Sequence, residues 1–125
     1  MKITGCQIFP LPEPNKGVLG YARVSLDDEL QLTGIRIYEG SHGLFVSYPN
    51  DPSGKGEDYR QFFFPTSRIL RENIENTILD QFIRYKFPEY FVGDSKELII
   101  RDIFKDFGSY AKDVRRALSN YLETI

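Results

Sequence analysis

Tryptophan is absent from this 125-residue chain, and histidine, cysteine and methionine each occur once. A lone histidine, His42, has no second imidazole with which to build a proton relay or a histidine-based metal site. A lone cysteine, Cys6, makes no internal disulfide and fits a reducing cytoplasm. No apolar run approaches the ~20 residues of a membrane span. Positive charge is not in excess either: 16 Lys and Arg against 18 Asp and Glu give a formal net charge of -2. Bulk charge therefore does not attract a polyanion, and any such contact must come from a local cluster. Met1-Lys2-Ile3-Thr4 enters a strand-like pattern at once, without the shape of a signal peptide. No internal repeat or low-complexity tract interrupts the chain.

What is present is an aromatic-rich globular composition, with 10 Phe, 8 Tyr and 41% hydrophobic residues. That is enough for one domain with a real core, and too little for two large ones. Lys2 to Leu11 reads as a first strand, closed by Pro10, Pro12 and Pro14. Asn15-Lys16-Gly17 supplies a turn. Ala22, Val24 and Leu26 then alternate with Tyr21, Arg23 and Ser25, as the two faces of a strand do. Asp27-Asp28 reads as a hairpin turn, after which Leu30 and Leu32 resume the buried face. Parity then switches, because the next apolar residues are Ile35 and Ile37. A β-bulge at Thr33-Gly34 produces such a step, and glycine is the permissive residue for it. Leu44, Val46 and Tyr48 make a fourth strand beyond Gly40-Ser41-His42-Gly43. Tyr59 to Phe64 makes a fifth after a polar loop.

At Pro65 the period changes. Ser67 is a plausible N-cap, and Leu70, Ile74, Ile78 and Phe82 follow at helical spacing with Ile69 and Tyr85 beside them. Pro88 ends that helix. A second helical segment starts at Asp94, with Glu97 in capping-box position, and stops at Gly108. Its apolar residues spread from Leu98 to Phe107, over more than one stripe. Ser109 opens a last helix with Val114, Leu118 and Tyr121 facing inward. Strands first and helices later indicate an α+β fold: an antiparallel sheet of about five strands, a helix, then two further helices. The chain divides into a domain over 1–88 and a helical extension over 89–125, packed on that domain or on a partner.

No enzyme template fits these residues. His42 reads as a turn residue, Cys6 as a small buried one, and Asp27-Asp28-Glu29 as a solvated hairpin tip without EF-hand spacing. Ser53-Gly54-Lys55-Gly56 lacks Walker spacing and does not join a strand to a helix. No metal or cofactor is implied. Binding features are more promising. The polar loop from Asn50 to Tyr59 is the kind that carries function on a rigid scaffold. Lys55 and Arg60 lie in and after it, and Arg68 and Arg71 open the following helix, so these cations either address phosphates or are ordinary solvated charges that Asp51, Glu57 and Asp58 offset. Lys112, Arg115 and Arg116 form a second basic stripe at helical spacing, read first as the solvated face opposite Val114 and Leu118 and otherwise as a secondary contact. In Phe62-Phe63-Phe64, alternation must turn at least one ring away from the core. A five-stranded sheet also leaves an edge to manage. A symmetric homodimer with that strand near its interface follows.

The stretch YARVSLDDELQLTGIRIYEGSHGLFVSYP resembles the SpoVG family, the stage V sporulation protein G or septation regulators. In that family a strand leads to Asp-Asp-Glu, then to a strand ending Asp-Ile-Arg-Val-Ile-Glu-Gly, then to Gly-Leu-Phe-Val and Met-Pro. The opening MKIT is shared, and FFFPTSRILRENIENTIL is similar to the family's His-Pro segment and Arg-Glu-x-Ile helix. The likeness covers roughly residues 1–86. It implies a small α+β fold, dimerisation through the sheet, and binding of DNA and RNA to regulate gene expression. In sporulating bacteria it also implies an effect on septation. The chain departs from the pattern twice. Where the family typically has a Lys-Arg pair for nucleic-acid contact, Asn50, Asp51 and Pro52 stand here, although Arg60 matches the basic residue of the next strand. The helical tail from Glu89 to Ile125 is the second departure.

Overall fold

The computed structural model describes residues 1–41, 43–51, 60–88 and 111–124, with side chains of the last segment described over 112–120. Among these residues, four antiparallel strands form one sheet in the order β1-β2-β3-β4. They are β1 (Ile3–Asn15), β2 (Val18–Leu26), β3 (Leu30–Gly40) and β4 (Gly43–Ser47). Helices α1 (Arg68–Lys86) and α2 (Ala111–Thr124) follow. The expected helical segment from Asp94 to Gly108, the polar loop with Lys55, and His42 lie outside the described residues.

The hairpins follow from residues that tolerate left-handed backbone. Lys16 and Gly17 have φ of 54° and 84° and join the paired Asn15 and Val18 in a two-residue turn, whose twist suits antiparallel strands. Asp27 and Asp28 have φ of 53° and 56°, the conformation that aspartate accepts more readily than most residues. Both aspartates remain exposed, but they do more than terminate a hairpin. Asp27 exchanges two bonds with Lys2, its N–H donating to the Lys2 carbonyl at 2.7 Å and its Oδ1 accepting from the Lys2 N–H at 2.8 Å. The Asp28 N–H donates to Thr4 Oγ1 at 2.9 Å. The turn thus anchors the start of β1.

The bulge read from the parity switch is present. Ala22 faces Ile35 while Val24 faces Leu32, so β3 carries one residue more than β2 across this step. Gly34, at φ 75°, absorbs it. Leu32 and Ile35 can then both address the same face, with Ile35 fully buried.

Three expectations are corrected. The prolines do not close β1 at Leu11: the strand continues to Asn15, with a register irregularity between Pro10 and Asn15. An edge strand tolerates this, because the missing proline N–H groups need no partner strand. Among the described residues the fifth strand is reduced to a single bridge between Asn50 and Gln61. It is flanked by bonds from the Asp51 N–H to the Arg60 carbonyl and from the Phe62 N–H to the Pro49 carbonyl, each 2.8 Å. Pro49 offers no donor and Pro65 ends the run, so a ladder has no length in which to form. Leu30 does not resume the buried face but is exposed, as are Ile69 and Tyr85 beside the stripe of α1.

Helix α1 begins where Ser67 Oγ accepts from the Leu70 N–H at 3.2 Å, the cap expected of serine. It buries Ile74, Ile78, Leu79, Phe82 and Ile83 against Ala22, Val24, Ile35, Ile37 and Val46 of the sheet. Complete burial of each such side chain stabilises the fold by ~1.5–3 kcal/mol. Helix α2 adds Val114, Ala117 and Leu118 to the same core. It packs on α1 and on β4. The core is therefore one layer of side chains between the inner sheet face and two helices. The outer sheet face is left uncovered by either helix.

Candidate nucleic-acid interface

Arginines gather where the bridged segment leads into α1. Arg60 is exposed beside the Asn50–Gln61 bridge. Arg68 and Arg71 occupy the first turn of α1, which holds no acidic residue. Cations there stand against the helix dipole, whose positive end favours anions. Arg68 is almost fully exposed and its Nε contacts Glu72 Oε1 at 3.0 Å, an i,i+4 pair of the kind that holds only weakly in water. Arg71 Nη2 donates to the Pro65 carbonyl at 3.1 Å, which ties the guanidinium to the entry of the helix. Lys55 falls outside the described residues.

Beneath Arg71 lies a small polar cluster at the boundary of the core. Burial raises the carboxyl pKa of Glu75 above 4.5, with Arg71 opposing the shift and Glu72 adding to it. The Tyr48 phenol is also raised, first by burial and then by Glu75. Phe63 meets Tyr48 edge to face, with centroids 6.0 Å apart. The three phenylalanines therefore alternate as expected. Phe63 packs on the core, while Phe62 and Phe64 are 68% and 52% exposed.

Phe64 borders a shallow apolar groove of about 160 Å³, which Leu30, Leu32, Pro65 and Leu70 also line. Ile69, 73% exposed, stands next to Leu70 on α1. The groove was foreseeable only in part. Leu30 fits the buried periodicity of its strand, yet it is exposed.

The second basic stripe is not one surface. Lys112 and Arg115 are exposed, but Arg116 turns toward α1. Its Nε contacts Asp80 Oδ1 at 3.1 Å and its Nη1 contacts Asp113 Oδ1 at 3.4 Å. Asn120 Nδ2 donates to the other Asp80 oxygen at 2.8 Å. Asp113 is buried, and its Oδ2 accepts from the Leu44 N–H at 2.8 Å. Helical spacing placed Arg116 beside Lys112 and Arg115. It could not show that a carboxylate on α1 would face it.

Sequence reasoning also passed over the outer face of the sheet. Arg23 lies over the Phe9 ring, its Cζ 5.2 Å from the centroid, and donates to Gln7 Oε1. Tyr38 and Phe45 stack at 5.2 Å with an interplanar angle of 9°. The signal was the alternation itself: arginine and aromatic residues occupy the off-core parity of β2 and β3.

For catalysis the described residues offer little. No group of three or more His, Cys, Asp or Glu among them is placed to hold a metal ion. Cys6 is half-buried, and burial pushes its thiol up to about 11, away from nucleophilic use. No helix among the described residues is long and apolar enough to cross a membrane.

Comparison with known proteins matches residues 1–84 to the family model described as SpoVG. The protein named "Putative septation protein SpoVG" of Agathobacter rectalis is 33% identical over 82 residues, covering 66% of this chain and 92% of that relative. Its namesake in Borreliella burgdorferi strain B31 is 33% identical over 86 residues, 67% of this chain and 88% of the relative. That of Archaeoglobus fulgidus is 35% identical over 78 residues, 62% and 89% respectively. The family match ends inside α1, so α2 lies beyond it.

Proposed function

The chain belongs to the SpoVG family, and from that premise we propose that it is a non-enzymatic regulator that binds DNA or RNA and acts on gene expression and septation. The observation that carries this reading is the placement of Arg68 and Arg71 in the first turn of α1, with Arg60 exposed in the segment before it. Two cations at the positive end of a helix work against the dipole, and a phosphate bound there relieves the conflict. Lys55, Lys112 and Arg115 are further phosphate contacts in this reading. Arg116 is left out, because Asp80 and Asp113 engage it. A fluorescence-anisotropy titration at low salt with mixed-sequence DNA and RNA tests it. Binding is expected within tens of micromolar protein, the non-specific range for such contacts.

The exposed rings support a dimer. Phe62, Phe64 and Ile69 project beside the groove lined by Leu30, Leu32 and Leu70. Knobs and a hollow on one patch suit an isologous contact, in which each copy meets the same surface of the other. Multi-angle light scattering at micromolar concentration should give twice the chain mass, and a monomer mass contradicts the dimer.

The same apolar patch favours a second reading, a protein-interaction module in which Asn50, Asp51 and Pro52 stand in place of the basic loop pair. Failure of the titration at every salt concentration would select it.

A further inference from the structure

The register of the sheet collects four aromatic rings and two guanidinium groups on the face that neither helix covers. Phe9 of β1 pairs with Tyr21 of β2, and Gln7 with Arg23. Tyr21 pairs in turn with Arg36 of β3, and Tyr38 of β3 with Phe45 of β4. Paired residues share a face, so one ring pair sits on β1 and β2 and the other on β3 and β4. Neighbouring strands are ~4.8 Å apart, which puts the two ring pairs ~10 Å from each other across the sheet. Phe9, Tyr21 and Phe45 are exposed, and Tyr38 is half-buried beneath its stacking partner.

Charge on this face runs against the composition of the chain. The paired outward positions include Arg23 and Arg36 and no carboxylate, although acidic residues outnumber basic ones overall. Of the acidic residues in the strands, Glu39 is on the opposite parity, facing Leu44, and Glu13 lies in the irregular, unpaired end of β1. Both arginines are held in place. Arg23 lies over Phe9 and bonds Gln7, and Arg36 Nη1 donates to the Tyr38 hydroxyl at 3.4 Å.

We propose that this face is a stacking platform for the bases of single-stranded nucleic acid, with Phe9 and Tyr21 at one end, Tyr38 and Phe45 at the other, and Arg23 and Arg36 meeting the phosphates. It rests on the nucleic-acid reading above and adds a site and a strandedness to it. Rings on an open sheet can stack on unpaired bases of any sequence, whereas bases inside a duplex present no free face. A second copy is a poor occupant. Face-to-face packing would bring Arg23 and Arg36 of both copies together with no carboxylate among the paired outward positions to meet them, and like charge across an interface is unfavourable.

The test uses the full chain with a 12-nucleotide oligouridine RNA, its 5-iodouridine analogue for photocrosslinking, and a 12-base-pair duplex DNA. Crosslinks should map by mass spectrometry to Tyr21, Tyr38 or their ring partners, and the single strand should bind more tightly than the duplex. Replacing both tyrosines, Tyr21→Leu with Tyr38→Leu, should weaken single-strand binding at least tenfold. If that variant melts at a lower temperature, the crosslink map on the unaltered chain decides. Crosslinks confined to α1, an unchanged affinity in a normally folded variant, or a preference for duplex overturns the platform and leaves the nucleic-acid reading standing. No binding to either ligand overturns both. A variant that binds normally but loses its dimer mass assigns the face to contact between copies and overturns the platform.

Discussion

Asp113 concentrates more structural consequence than any other charged side chain among the described residues. It is buried on α2, accepts from the Leu44 N–H on β4 and faces Arg116. Asp113→Ala removes the acceptor of a buried backbone donor, and an orphaned donor costs ~1–3 kcal/mol. Weakening the support of Arg116 adds to this. We expect Asp113→Ala to lower stability by about 2–3 kcal/mol in urea denaturation, and Asp113→Asn, which keeps an acceptor, to lower it by less. Equal midpoints for all three proteins would show that the Leu44 contact is not maintained in solution. Cys6 gives a pH prediction. Its thiol is pushed up to about 11 from an ordinary 9.0, because burial disfavours the thiolate. The unfolded chain therefore releases this proton first as pH rises. The contribution of Cys6 to stability is complete below about 9 and is lost between 9 and 11. At pH 8 the thiolate fraction is smaller by roughly a hundredfold than at an ordinary cysteine, and since a thiolate of higher pKa is the stronger nucleophile, iodoacetamide should alkylate the folded protein roughly tenfold more slowly than the chain in urea. Equal rates would contradict the burial.

At the scale of elements, Gly34 offers a clean perturbation. An added Cβ would meet only Pro49, at an unstrained 3.9 Å. The cost of Gly34→Ala is therefore conformational, about 1–2 kcal/mol for holding an L-residue at φ 75°. An unchanged melting temperature would contradict the bulge. This element was fully legible beforehand, because one extra residue in a strand reverses the inward parity, and a glycine at the step supplies the backbone freedom the bulge needs. The cap at Ser67 and the stripe Ile74, Ile78 and Phe82 were legible in a similar way: periodicity encodes a face. Periodicity does not say what a neighbouring element covers, and that is why Leu30 fits the buried face by pattern when it is exposed. The fifth strand misled because Phe62, Phe63 and Phe64 do alternate. What the pattern omits is the partner strand, which Pro49 cuts short. Arg116 was misplaced since its partner Asp80 is 36 residues away on α1, a contact that local spacing cannot reveal.

The molecule as a whole combines a family match over 1–84 with a last helix outside that match. Helix α2 completes the core with Val114, Ala117 and Leu118 and satisfies an outward N–H of edge strand β4 through Asp113. In physical terms it shields part of an edge that would otherwise invite another strand. It also leaves the first turn of α1 and the outer sheet face open, the two surfaces proposed to meet phosphates and bases. Of the proposed site, Arg60, Arg68 and Arg71 are the part that residue type and order alone bring forward as candidates. The aromatic face was not, because a strand's exposed parity looks like ordinary surface until the register aligns Phe9 with Tyr21 and Tyr38 with Phe45. The salt dependence of binding tests the central claim most directly. Each phosphate contact contributes about -0.7 to the slope of log K against log salt for a single strand and about -0.9 for a duplex. Replacing Arg60, Arg68 and Arg71 together with alanine should make that slope shallower by about two. An identical slope in a variant that folds normally, or no binding by the unaltered chain at low salt, would contradict it.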